Sequence, residues 1–176
     1  MTILETERLR LREMDLNDVE NLQGIFSDPA AMRYYPKTKT LIETEGWIRW
    51  NMTSYRVFRF GLWIAVLKET GAFAGQCGLV MQKVDDEPEI EIGYLLLRKY
   101  WGQGLATEAA SACRDYAINH VGQNRLGYTR LISLIDPRNL ASKRVAEKIG
   151  MTREKETFMF DKRIEVYIFE TAAEKI

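Results

Sequence analysis

Arg8 to Glu13 alternates basic and apolar positions, with Leu9 and Leu11 on one face, and this two-residue period predicts a half-exposed first strand near the start of the chain. The period then lengthens. Val19, Leu22, Ile25 and Phe26 recur at helical spacing behind Asp15 or Asn17 as cap, and Asp28-Pro29 ends that helix. The stretch around Pro36 is loop-like. From Leu41 to about Tyr55 the spacing of Trp47, Ile48, Trp50 and Met52 fits a second, less regular helix. Arg59 to Leu67 is apolar on both faces and too short for a helix, which predicts an interior strand. A turn at Glu69 to Gly71 leads to an antiparallel partner, Phe73 to Gln82, in which Gly75 and Gly78 mark bulges or close packing.

An acidic connection, Asp85 to Glu89, precedes a fourth strand, Ile90 to Leu97. The helix after Gly104 carries Leu105, Ala109, Cys113 and Tyr116 on one side and is predicted to end at Gly122. Arg130 to Ile135 is a strand, Asp136-Pro137 breaks the chain, and Asn139 caps a short helix with Ala141, Val145 and Ile149 inward, stopped by Gly150. Phe158 to Phe160 and Ile164 to Phe169 close the pattern as a hairpin. One strand, two helices, three strands, a helix, a strand, a helix and two strands predict an α/β fold. Its mixed sheet is covered by helices on both faces, without the regular alternation of a Rossmann fold.

Length makes the 176 residues one domain, 1–176, and no apolar run reaches the roughly 20 residues of a membrane span. The opening MTILETERLRLRE has no apolar core or small-residue cleavage site, so the expected location is cytoplasmic. Twenty-five basic residues balance twenty-five acidic ones, which argues against a nucleic-acid surface. Cys77 and Cys113, far apart in sequence and each in an apolar element, read as buried thiols rather than a disulfide or a metal pair, and no metal site is expected. The only histidine, His120, closes a helix, where a cation suits the helix end without any catalytic role.

The chemistry concentrates in Tyr94 to Glu108, YLLLRKYWGQGLATE: an apolar strand, two glycines as Gly-x-Gly, and a helix start. Glycines admit close backbone approach, and the first helical amides have no intrahelical acceptors, so the stretch is an anion cradle. On the preceding strand, Glu89 and Glu91 share one face, with Gly93 opening space beside them. One of them could act as a base, since a buried carboxylate beside another holds its proton more tightly. Both could equally be solvated at an edge.

Lys99-Tyr-Trp-Gly102-Gln103-Gly104 resembles the acyl-coenzyme A signature of the GCN5-related N-acetyltransferases (GNAT), with Lys99 where glutamine or arginine is usual. Leu105 to Ala110, Asn139 to Ser142 and Lys148-Ile-Gly-Met also have counterparts in that family. Glu5 to Arg12 and Ser27-Asp-Pro resemble the subgroup of ribosomal-protein N-terminal alanine acetyltransferases. The resemblance implies a mostly antiparallel sheet of about seven strands whose fourth strand splays from its neighbour. It implies transfer of an acetyl group from acetyl-coenzyme A directly to a primary amine, on a protein N-terminus or a small molecule; the family is often dimeric.

By position, Leu95, Leu96 and Leu97 would hold the pantetheine arm, with amides from Leu97 onward polarising the thioester. Gly102, Gln103, Gly104, Leu105, Ala106 and Thr107 would hold the pyrophosphate, with Lys99 alongside. Asn139 would meet the pantetheine as well as cap its helix. The tyrosine that many relatives carry six residues after the asparagine is Val145 here, which leaves Ser142 as the acid for the departing sulfur and Glu91 as the preferred base. The acceptor would meet Tyr34, Tyr35, Trp50 and Glu89, with Met32 and Trp47 nearby. A non-catalytic acyl-coenzyme A sensor or scaffold is the alternative that the missing tyrosine favours.

Overall fold

The computed structural model describes residues 2–118 and 129–171. Its eight strands are β1 (Thr2–Glu5), β2 (Leu9–Arg12), β3 (Leu62–Leu67), β4 (Phe73–Val84), β5 (Glu87–Leu96), β6 (Arg130–Ile135), β7 (Thr152–Met159) and β8 (Lys162–Glu170). The helices are α1 (Val19–Phe26), α2 (Leu41–Phe58), α3 (Leu105–Tyr116) and α4 (Leu140–Lys148). The strands form one sheet in the order β1-β2-β3-β4-β5-β6-β8-β7. Every neighbouring pair is antiparallel except β5 and β6. The expected mixed, mostly antiparallel sheet is present. Trp47 of α2 bonds Gln76 of β4 while Cys113 of α3 meets Cys77, the next residue. Successive strand residues point to opposite faces, so helices cover both.

Eight strands replace the expected seven because the chain's opening folds into two, β1 pairing back on β2. Three boundaries also move. The second helix runs to Phe58 and the chain reverses at Arg59 (φ 67°), so β3 starts at Leu62 rather than Arg59. The acidic stretch is not a five-residue loop: Val84 pairs with Glu87, and Asp85 and Asp86 alone turn the hairpin at φ 50° and 69°, a two-residue turn that aspartate tolerates. β7 starts at Thr152, six residues before its apolar signal. Thr152 to Glu156 are exposed on the outermost strand, where charge blunts the open edge and no alternation is required. The expected helix end at Gly122, and His120, lie outside the described residues. No helix among the described residues is long and apolar enough to cross a membrane.

Two features position the site. β5 and β6 share only one registered pair, Glu91 with Ile132, and the Ser133 hydroxyl donates to the Ile92 carbonyl at 3.0 Å. Past that point the strands part, so the expected splay falls at the C-terminal half of β5. The second feature anchors α2 to the sheet. Asn51, fully buried, accepts the Leu62 amide at 2.9 Å and donates to the Trp47 carbonyl at 3.0 Å, while the Tyr55 hydroxyl donates to the Leu62 carbonyl. Gly61 is required beside them, because a Cβ there would stand 2.6 Å from the Tyr55 ring. Asn51→Ala would leave a buried amide unpaired and is expected to cost about 2 kcal/mol in denaturant unfolding; a loss within error of zero would show that water replaces the side chain.

Candidate functional site

Gly102 (φ 73°) and Gly104 (φ 79°) turn the chain from a single 3-10 turn, Arg98–Tyr100, into α3. Both angles favour glycine. No side chain caps α3, and its first intrahelical bond joins the Glu108 amide to the Gly104 carbonyl at 3.0 Å. The amides of Leu105, Ala106 and Thr107 therefore point out of the helix start without intrahelical acceptors. They face a groove of about 550 Å³ whose wall carries Arg33, Arg138, Arg144 and Lys148. Arg138 is paired with Asp136 at 3.0 Å, and free amides, a helix N-terminus and the other three cations fit a polyphosphate.

The cradle is braced from the far edge of the sheet. Glu108 accepts from the Arg8 amide and Nε, both at 2.7 Å, and from the Thr6 hydroxyl at 2.5 Å. Arg8 Nη1 also donates to the Gln103 carbonyl at 2.9 Å. Sequence reading missed Thr6 and Arg8, since nothing local ties them to a loop about a hundred residues away. The four groove cations were missed too, although Arg144 and Lys148 are one helical turn apart and share a face.

Of the residues expected to hold the cofactor, Leu95, Leu96, Gly102, Gly104, Leu105 and Ala106 line the groove, as do Thr107, Asn139 and Ser142. Leu97, Lys99 and Gln103 do not. The Leu97 amide is committed to the Ala74 carbonyl at 2.9 Å and is not available to polarise a carbonyl. Amide directions alternate along a strand, so the Leu96 amide points the opposite way, toward the splay. Lys99 Nζ lies 4.9 Å from the Tyr100 ring centroid, and Gln103 Nε2 caps the Lys99 carbonyl at 3.0 Å.

A second cavity, of about 360 Å³, lies on the face of β4 and β5 covered by α2 and includes Gln76, Val80, Gln82, Glu91 and Gly93. It meets the groove at Tyr34, Tyr35, Tyr94, Leu95, Asn139 and Ser142, which line both. The expected acceptor residues divide. Tyr34 and Tyr35 line the junction, but Trp50 is 43% exposed, its ring tilted 35° against that of Trp47, and Trp47 rather than Trp50 reaches the cavity. Glu89 is held by Arg130 at 3.0 Å, together with Glu154 and Glu170, and stays out of the cavity.

Glu91 thus stands alone as the carboxylate on that stretch of wall. Burial pushes its carboxyl up to about 7, against the opposing hydrogen bonds of Gln82 Nε2 at 2.8 Å and the Leu134 backbone. The cause is desolvation and not, as the sequence suggested, a second carboxylate, because Arg130 neutralises Glu89. Burial and then the Glu91 charge push the Tyr35 hydroxyl up to about 12. Tyr35 is 47% exposed overall and lies at the junction of the cavities.

Asn139 Oδ1 accepts the Ser142 amide at 3.1 Å, so the cap commits its oxygen and leaves the nitrogen end toward the groove. Tyr94, missed in the sequence, donates from its hydroxyl to the Ser142 carbonyl at 2.9 Å and spans the opening between β5 and α4. Val145 lines the groove one turn beyond Ser142. Cys77 and Cys113 are buried free thiols with sulfurs 3.6 Å apart, and their distance in sequence is closed by α3 packing on β4.

The profile of the acetyltransferase (GNAT) domain family matches residues 8–152. YkkB of Bacillus subtilis (strain 168), an uncharacterised protein, is 44% identical over 167 residues, covering 94% of each chain. A crystal structure described as the acetyltransferase from Agrobacterium tumefaciens str. C58 superposes with a TM-score of 0.82 at 30% identity, covering 97% of this chain and 95% of that one. The ribosomal L7/L12 α-N-protein acetyltransferase RimL, solved with coenzyme A, shares the fold at TM-score 0.75 and 19% identity, over 97% of this chain and 98% of its own. Thr107→Glu places a carboxylate at the third helical residue, where it suits a helix start but opposes an anion. It is expected to weaken calorimetric binding of coenzyme A by about tenfold or more at little cost in melting temperature, and unchanged affinity would place the ligand elsewhere.

Proposed function

The chain belongs to the GNAT acetyltransferase family and is an N-acetyltransferase, and from that premise we propose that it moves the acetyl group of acetyl-coenzyme A directly onto a primary amine. The observation that carries the reading is the meeting of two cavities at Tyr94, Leu95 and Ser142: an anion groove on one side, and on the other a pocket whose wall holds a carboxyl poised near 7. Acetyl-coenzyme A supplies, when bound, an activated thioester and a thiol leaving group. The chain's residues then have three tasks.

The first is orientation. The amides of Leu105 to Thr107 with Arg144 and Lys148 hold the phosphates, the Asn139 nitrogen meets the pantetheine, and the Leu96 amide, pointing into the splay, donates to the carbonyl oxygen as negative charge grows there. The second is proton removal. Glu91, ionised, takes the proton the amine must lose, directly or through a water, and its raised proton affinity matches it to an amine at neutral pH. The third is proton delivery to the sulfur as the carbon–sulfur bond breaks. Ser142 lies at the junction and takes that role, while Tyr94, bonded to the Ser142 carbonyl, fixes the start of α4 against β5. Val145 favours the alternative of a non-catalytic binding module, for which coenzyme A would bind without thiol release from any amine offered.

Because the base must be ionised, kcat/KM is expected to rise through about pH 7 and level off above it. Glu91→Gln should flatten that limb and lower the plateau by about a hundredfold or more; an unaltered profile would remove Glu91 from the reaction. Stability gives an independent sign. The folded carboxyl sits above its ordinary 4.5, so its contribution is fully present below about 4.5 and fades as pH rises to about 7. Glu91→Gln should therefore gain in melting temperature relative to the parent between pH 5 and pH 8.

A further inference from the structure

The acceptor cavity carries an unusual charge pattern for a pocket that must receive a cationic amine. Its wall has two carboxylates, Glu91 and Asp136. Asp136 is spoken for: its side chain is 3% exposed, Lys162 Nζ lies at 2.8 Å and Arg138 at 3.0 Å, and these partners hold its carboxyl far below the usual range. Lys162 is correspondingly neutralised by Asp136 and also donates to the Tyr34 carbonyl. One acidic group remains for an incoming amine, and in the transfer reading it is the base.

Lys39 is the remaining charge in the wall. Its backbone is fixed, the amide bonded to the Phe26 carbonyl at 2.9 Å and its own carbonyl taken by Gln23 Nε2 at 2.9 Å. The residue is half-buried, and its ammonium lies 5.8 Å from the Phe26 ring centroid and 5.3 Å from that of Trp47, with no ion-pair partner among the described residues. The neighbouring Lys37, by contrast, is paired with Glu43 at 2.5 Å. An ammonium held over aromatic faces inside a cavity, with no carboxylate of the protein beside it, is a ready partner for an anion of the ligand.

The rest of the wall is apolar and aromatic, with Met32, Trp47, Leu62, Ile92 and Phe160 among its members, and its volume suits a small molecule. A polyamine or an aminoglycoside would bring several cations to a pocket with one free carboxylate and one free ammonium, so the electrostatics oppose it. A lone ammonium brings a single positive charge, which balances a monoanion and would leave a phosphate dianion with one charge uncompensated. We infer that the acceptor is a small primary amine carrying a carboxylate on an apolar or aromatic body, the carboxylate recognised by Lys39 and the amine presented to Glu91. This rests on the transfer reading above and adds the substrate class to it.

A matched pair of product-like ligands tests the inference without turnover. N-acetylphenylalanine and N-acetylphenethylamine differ only in the carboxylate, and each is titrated calorimetrically into the protein saturated with coenzyme A. The carboxylate-bearing member is expected to bind about tenfold tighter or more. Lys39→Met should erase the difference and Lys39→Arg, which keeps the charge, should retain most of it, with thermal unfolding confirming that both variants fold. Equal binding of the pair, no binding of either, or a difference that survives in Lys39→Met would overturn the inference. In parallel, thiol release from acetyl-coenzyme A is followed with phenylalanine, phenethylamine, spermidine, kanamycin and an N-terminal tetrapeptide. Phenylalanine is expected to lead, and the inference falls if a polycation or the peptide leads instead. If the pair discriminates but no amine is turned over, acetyl transfer fails and the anion site stands; if amines are turned over without discrimination, the reverse holds.

Discussion

The parting of β5 from β6 is the constraint on which the rest of the site depends. A parallel pair of strands in a sheet core normally shares a continuous ladder, and here the register ends after Glu91 and Ile132. Every backbone group beyond that point on the open side of β5 is left to find another partner. The Ile92 carbonyl takes the Ser133 hydroxyl, and the Leu96 carbonyl takes Trp101 Nε1 at 3.0 Å. By the alternation of amide directions along a strand, the backbone amides of Tyr94 and Leu96 face that opening. Tyr94 spans the same opening by its bond to the Ser142 carbonyl, so the gap is held at a fixed width and not filled. An unpaired strand edge inside a protein is costly, and a ligand whose arm carries amides is the natural way to satisfy it.

The gap would be of little use if the cradle at its end were loose. The Gly-x-Gly turn has two residues at positive φ and no side-chain cap on the following helix, so local interactions hold it weakly. Long-range ones compensate. Glu108, in the first turn of α3, gathers the Arg8 amide, the Arg8 guanidinium and the Thr6 hydroxyl, and Arg8 reaches on to the Gln103 carbonyl. The hairpin formed by β1 and β2 is thereby a strut for the anion loop. The two-residue period showed a single strand from Arg8 to Glu13 and no β1, which hid the turn that supplies both partners.

Much of the architecture was legible because it rests on local periodicity. Leu9 and Leu11, the apolar run of β3 and the Val19 to Phe26 stripe each carry the signal of the element they form. What was missed has no local signal: β7 begins with five exposed polar residues because an outer edge strand buries almost nothing, and the Asp85-Asp86 turn looked like a long acidic loop until its pairing was seen. The site divides in the same way. Gly102, Gly104 and Asn139 announce themselves through backbone geometry, whereas Glu89 and Trp50 were plausible by residue type and were excluded only by tertiary partners, Arg130 for one and the outer side of Trp47 for the other. Tyr94 and Lys39 acquire meaning only from what stands across from them.

The division of β5 into two working faces follows from its register with β4. Glu91, Gly93 and Leu95 pair with Val80, Gly78 and Gln76 and face α2 and the second cavity, while Tyr94 pairs with Cys77 on the face covered by α3. Because side chains alternate, a slip of one residue would exchange Glu91 for an isoleucine and move the tyrosine off the gap. Close approach in the first half of β4 guards against such slips. At Gly78 a Cβ would stand 2.2 Å from the Gly61 carbonyl oxygen, and at Gly75 it would stand 2.4 Å from the Leu95 carbonyl oxygen. The strands can come this near only where glycine stands, so sliding β4 would drive a side chain into its neighbour's backbone. Gly75 thus opposes a slip of β4 against β5, and with it a change in the face on which Glu91 stands, while Gly78 does the same for β4 against the start of β3.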